Sequence, residues 1–224
     1  MLNEINFKLF YSSLTREKSS IEFFESNDRK RTLIVYARPH MPRNAYELAI
    51  SAISECIRLG IIDTSKWQII GVGASDSTPV CYLGEKGKNA CIKMIQNVPE
   101  PEYKKLLMNA DIGLALMISP HPSLAPFDFA AAGMIVVTNS YETKNQKSFS
   151  EISPNFVVAK PSLNGIVNGI SKAISMSDKN RNSKDKNSNF NWPTSWEDER
   201  CYGKPLFDKV KLWFGHDTAF PFDD

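Results

Sequence analysis

An α/β fold built on a doubly wound, mostly parallel sheet follows from three features of this sequence. Short Val- and Ile-rich runs alternate with segments of helical periodicity, the alternation that generates right-handed crossovers. Those runs are apolar almost throughout, as strands covered on both faces are. The length, 224 residues, fits one full domain of about 100–200 residues with trimmings.

The elements follow in order. Residues 1–30 mix aromatics with charges and read as a lead-in that docks on the domain. Thr32–Ala37 (TLIVYA) is the first strand. Pro42 opens a helix at its first position, where its missing N–H is no loss. Ala45, Leu48, Ala49, Ala52, Ile53, Cys56 and Ile57 then recur at helical spacing, ending on a Gly60 cap. Trp67–Val72 is a second strand and Cys91–Ile95 a weaker third. Pro101–Met108 is predicted helical, with Tyr103, Leu106 and Leu107 facing inward. Ile112–Met117 reads as a buried strand, Phe127–Ala132 as a short alanine-rich helix and Met134–Thr138 as another strand. Phe156–Ala159 is the last strand and Leu163–Met176 the helix after it.

Ser177–Asn191 is nearly free of apolar residues and reads as an exposed polar loop. Trp192–Trp196 (WPTSW) follows, then a final helix through Trp213. The expected organisation is therefore a lead-in over 1–30, a Rossmann-like domain over 31–177, a loop over 178–191, and a C-terminal helix and tail over 192–224 packing on the domain.

Composition excludes several classes. Twenty-seven basic against 25 acidic residues leave a formal charge of +2, too small an excess to favour nucleic acid as a partner. Cys56, Cys81, Cys91 and Cys201 lack the close pairs of a zinc site, so no metal is expected. Three of them fall in predicted strand or helix, where a cysteine is usually a small buried hydrophobe, and a reducing compartment fits. The N-terminal stretch lacks a signal-peptide pattern, and no segment approaches the roughly 20 apolar residues of a membrane span. A cytoplasmic protein, at most peripheral to the inner membrane face, is expected.

Ligands of an open parallel sheet bind at the carboxyl ends of its strands, so the segments after each run are the places to look. After the first run, Arg38 ends the strand and Arg43 sits in the first turn of the next helix. A cation there opposes the helix dipole by a few tenths of a kcal/mol. Either Arg43 simply faces solvent, or the helix end and both guanidinium groups meet one anion, which Arg matches bidentately. After the second run, Gly71 and Gly73 allow close approach of a ligand or form an ordinary turn. They do not make a dinucleotide fingerprint, so NAD is disfavoured. Gly84–Lys88 lacks the spacing of a phosphate loop and reads as a plain loop.

After Ile112–Met117, the segment Ser119–Asp128 (SPHPSLAPFD) is stiffened by prolines and displays Ser119, His121 and Ser123. Asp128 lies in the first turn of the following helix. It is either a plain dipole-favoured acid or a carboxylate placed for ribose hydroxyls. His121 alone is more often structural. Thr138–Lys144 is polar and at the same edge, and little can be read from it alone.

Taken together, Tyr36–Pro39 (YARP), Pro42–Leu48 (PRNAYEL), Ser119–Ser123 (SPHPS), Ala131–Asn139 (AAGMIVVTN) and Trp192–Trp196 resemble the C-terminal, donor-binding domain of GT-B glycosyltransferases. The nearest likeness is to bacterial WsaF-like rhamnosyltransferases of surface-polysaccharide assembly, over about residues 32–200. The resemblance implies a nucleotide-sugar donor such as dTDP-rhamnose, a glycan acceptor and no further cofactor. It assigns Arg38, Arg43 and Asn44 to the donor diphosphate, stabilised without a metal, and Gly73, Ser119, His121 and Ser123 to the sugar and its loop. Asp128 takes the position of the ribose-binding acid, where glutamate is commoner. The sugar-binding glutamate that many relatives carry eight positions earlier is Pro120 here, so the sugar contacts must differ. An acceptor domain is also missing, which implies a fragment, a truncated product or half of a two-chain enzyme. The alternative is a non-catalytic nucleotide-diphosphate-binding module acting with a partner chain.

Overall fold

The computed structural model describes residues 30–74, 81–83, 90–121 and 123–181. The expectations for residues 1–29, 84–88 and 182–224 lie outside these. The strands are β1 (Arg31–Tyr36), β2 (Trp67–Ala74), β3 (Cys81–Leu83), β4 (Ala90–Gln96), β5 (Ile112–Leu114), β6 (Ile135–Asn139) and β7 (Phe156–Ala159). The helices are α1 (Tyr46–Arg58), α2 (Glu100–Met108), α3 (Ala125–Ala131), α4 (Gln146–Ser150) and α5 (Leu163–Arg181), with a 3-10 turn at Pro42–Asn44.

Among the described residues one seven-stranded sheet runs in the order β3-β4-β2-β1-β5-β6-β7. All pairings are parallel except that of β3 with β4. The expected doubly wound, mostly parallel sheet is what forms. Apolar strand runs leave both faces to be covered. On one face, Leu33, Val35, Ile69, Ile112 and Val137 join a core with Ala52, Ile53 and Cys56 of α1 and Ile166 and Ile170 of α5. Phe127 of α3, Phe149 of α4 and Phe156 of β7 form a separate aromatic cluster with ring centroids 4.8–5.8 Å apart. Gly113 in β5 lets the Phe129 ring of α3 lie directly on the strand, in space a Cβ would occupy.

The strand order places the site. From β1 the chain winds outward through β2 to β4, then returns to lay β5 on the other side of β1. Adjacent crossovers therefore leave in opposite directions above the ends of β1 and β5, which opens a crevice there.

Several predicted boundaries need correction. Pro42 begins a three-residue 3-10 turn, not α1, because Ala45 adopts a left-handed conformation (φ 45°) that interrupts the helical path. Arg43 thus belongs to the turn and not to the first turn of α1. The run Ile112–Met117 leaves the strand after Leu114: Met117 is bound by the side chain of Asn139, at the end of β6, instead of by strand backbone. The last helix continues past Met176 to Arg181, into the stretch expected to be loop, because Ser177 is buried and anchored. Arg31 at the start of β1 donates to Ser177 Oγ (2.9 Å) and pairs with Asp178 (2.5 Å). Cys56 is buried as expected, whereas Cys91 is exposed, on the outward side of β4's alternation. Leu107 of α2 is fully buried, while Tyr103 and Leu106 are only partly so. Strand β3 and helix α4 were not foreseen; both are short and carry weak patterns.

Candidate functional site

A cleft of about 420 Å³ opens above the carboxyl ends of β1 and β5. Its walls come from four stretches of chain. Tyr36 ends β1 and Arg38 follows it, Arg43 and Asn44 lie in the 3-10 turn, and Tyr103 comes from α2. Met117, Ser119, His121, Ser123 and Leu124 come from the segment after β5, which leads into Ala125 and Asp128 of α3.

Arg38 and Arg43, separated by a sharp turn, meet in this cleft. Both are exposed, and among the described residues neither forms an ion pair. Arg38 extends past the Tyr36 ring, its guanidinium carbon 6.0 Å from the centroid and Nη1 3.3 Å from the phenolic oxygen. The turn carrying Arg43 is pinned from across the cleft: Ile118 N–H donates to the Arg43 carbonyl at 2.6 Å. Asn44 beside it is 3% exposed, and among the described residues its amide Nδ2 has no hydrogen-bond partner. A buried donor without an acceptor carries a penalty of about 1–3 kcal/mol, so such groups are uncommon outside functional sites.

The segment after β5 closes on itself. Ser119 Oγ donates to the His121 carbonyl (3.2 Å), and Ser123 N–H donates to His121 Nδ1 (3.0 Å). Accepting at Nδ1 leaves the imidazole proton on Nε2. Partial burial pulls the His121 pKa below its ordinary value, and the Arg43 and Lys144 charges add to that effect. Ser123 itself takes a left-handed conformation (φ 68°).

Asp128 is 6% exposed and sits in the first turn of α3, at the cleft wall. Tyr103 faces it: burial, then the Asp128 and Tyr36 charges, hold the Tyr103 phenol well above its usual range. Gly73 is not part of the lining. It has φ +87°, and a Cβ there would lie 2.8 Å from Tyr36 Cε2, so its role is to seat the Tyr36 ring. The first turn of α1 is likewise not part of the lining; the chain reaches the cleft through Arg43 and Asn44.

Sequence reasoning missed two groups. Tyr36 and Tyr103 line the cleft, although alternation alone places them in a strand and on a helix face. Asn139 and Lys144 stand behind it, buried. Asn139 Oδ1 accepts from Met117 N (2.7 Å) and Nδ2 donates to Met117 O (3.2 Å). Lys144 Nζ donates to the same carbonyl at 2.7 Å. A polar run after β6 was the only available signal.

Among the described residues, no three His, Cys, Asp or Glu side chains gather as metal ligands, and no helix is long and apolar enough to cross a membrane. Within this frame the likenesses to known proteins are consistent. Over 141 residues the chain is 28% identical to the O-antigen biosynthesis protein RfbC of Myxococcus xanthus, covering 62% of this chain and 10% of that protein. The fold resembles sucrose-phosphate synthase from Thermosynechococcus elongatus (TM-score 0.52, 15% identity, 93% of this chain and 51% of that one). It also resembles a UDP-forming α,α-trehalose-phosphate synthase from Burkholderia xenovorans (TM-score 0.51, 9% identity, 66% and 36%). The chain therefore spans about a tenth of its curated relative and at most about half of these enzymes. The shared architecture is the Rossmann-like domain of the GT-B fold. The description "WsaF, C-terminal domain" matches residues 31–171, well over half of the sequence, and the chain belongs to that family.

Proposed function

We propose that this chain is the donor-binding domain of a glycosyltransferase of surface-polysaccharide assembly, holding a nucleotide sugar by its diphosphate. One observation carries the reading: a buried amide donor, Asn44 Nδ2, and two guanidinium groups lie in the same cleft, and among the described residues the first has no acceptor and the others no ion-pair partner. A diphosphate supplies the acceptor for the Asn44 amide and the opposite charge for both guanidinium groups. The relatives, an O-antigen biosynthesis protein and a UDP-forming trehalose-phosphate synthase, agree in kind with such a donor.

In this reading Arg38 and Arg43 neutralise the charge that develops on the diphosphate as the sugar leaves, in place of a divalent cation. Asp128 accepts a hydrogen bond from the nucleoside sugar, Tyr36 and Tyr103 form flat walls, and the Ser119–Ser123 segment meets the transferred sugar. The donor is dTDP-rhamnose or a close analogue. The acceptor glycan is presented by a further domain or chain, and the work takes place at the cytoplasmic side of the membrane.

A thermal-shift screen with UDP, GDP, dTDP and their sugars tests this. At least one diphosphate should raise the melting temperature with EDTA present, and the free nucleoside should raise it much less. No shift with any member rejects the donor site. A shift without donor hydrolysis or transfer, even when an acceptor domain is supplied, favours a non-catalytic nucleotide-binding module.

A further inference from the structure

Lys144 is a buried charge that the donor site described above does not use. It follows β6, is 2% exposed, and lies 5.2 Å from the Tyr141 ring centroid. Among the described residues its hydrogen-bond partner is the Met117 carbonyl, which is uncharged. Burying an ammonium against a carbonyl destabilises a fold unless something else uses the charge. What that carbonyl belongs to is informative. Met117 lines the cleft, and the next residue, Ile118, donates its N–H to the Arg43 carbonyl at 2.6 Å. A continuous path of short hydrogen bonds thus runs from Lys144 through the Met117–Ile118 peptide to the turn bearing Arg43 and Asn44.

We propose that Lys144 is a positioning residue for the anion site, a water-shielded positive charge that fixes the Met117–Ile118 peptide and, through it, the Arg43–Asn44 turn. The inference rests on the diphosphate reading above. Asn139 already satisfies both polar atoms of the Met117 backbone, so the carbonyl does not depend on Lys144 for a partner. What Lys144 alone adds is charge. Its field reaches His121, whose pKa it helps to depress together with Arg43. Burial also lowers the Lys144 pKa to about 8, partly opposed by Glu142, so the fold holds this charge against its own preference.

The test compares dTDP with thymidine by calorimetry for the wild type, Lys144→Met, Lys144→Gln and Arg43→Ala, with melting temperatures alongside. Gln keeps a donor without the charge. Both Lys144 variants should lose at least tenfold in dTDP affinity and less than twofold in thymidine affinity, while melting no lower than the wild type at pH 7. Unchanged dTDP affinity in Lys144→Met, beside a weakened Arg43→Ala, overturns the role of Lys144 and leaves the diphosphate site standing. Wild type that binds no dTDP overturns both. Equal losses for dTDP and thymidine make Lys144 merely structural. Should the variants not fold, the wild-type protein decides between pH 7.5 and 9. Among the described residues, Tyr141, Glu142 and His121 are the other titratable groups near the ammonium across that window. dTDP affinity should fall with rising pH while thymidine affinity holds, because the free site loses its proton near pH 8. A flat dTDP profile overturns the proposal.

Discussion

Truncating Arg43 to alanine separates phosphate recognition from everything else the cleft does. The side chain is exposed, and its contribution to the fold runs through the main chain, where the carbonyl accepts from Ile118. Alanine retains that carbonyl, so folding stability should change by no more than about 0.5 kcal/mol, as for other surface substitutions. Binding should change far more. A hydrogen bond to a charged group is worth about 1.5–3 kcal/mol, and each 1.4 kcal/mol is tenfold in affinity, which brackets the loss at about tenfold to a hundredfold. The lower half of that range is expected. Arg38 remains in the cleft, and the open mouth admits water and salt that screen the charge. Titration calorimetry with dTDP and thymidine at about 0.15 M salt measures both affinities on one protein. The losses should differ by at least tenfold, and the dTDP affinity of the wild type should fall with added salt more steeply than that of the variant. Equal losses for the two ligands mean that Arg43 does not touch phosphate, and the assignment fails.

Three further outcomes follow from the same geometry. Asn44→Leu removes a buried donor that has no partner among the described residues, so heat stability should hold or rise while dTDP affinity drops about tenfold; a variant that melts earlier but binds normally would place Asn44 in the core and not in the site. Asp128→Ala should keep the fold and weaken thymidine and dTDP to similar degrees, since the nucleoside sugar is common to both; unchanged affinity by calorimetry removes the ribose role. Gly113→Ala forces a methyl group into the Phe129 ring and should cost about 1–3 kcal/mol in chemical denaturation, an overpacking penalty; a variant as stable as the wild type means α3 can lift from β5 freely.

The alternation of apolar runs and helical periods determined a great deal here. A strand that is apolar on both sides can be covered only by helices on both faces, so TLIVY over residues 32–36 and its successors dictate a doubly wound sheet before any contact is known. The carboxyl-edge rule then placed Arg38, Arg43, Ser119, His121, Ser123 and Asp128 at one rim, and all six line a single cleft. Residue spacing did not reveal how the chain gets there. The left-handed Ala45 shifts Arg43 out of α1, a matter of one backbone angle that an alanine does not announce. Met117 looks like strand in sequence, but Asn139 competes for its backbone groups from a distant segment, and only the assembled sheet brings the two together. Gly73, with its flanking glycine, suggested ligand approach; its missing Cβ instead admits a tyrosine ring. Lys144 is the sharpest case. In the sequence it is one lysine in a polar loop, where solvation is the default. Its burial is decided by which carbonyl the folded chain places within 2.7 Å of its ammonium, a long-range distance that no local pattern encodes.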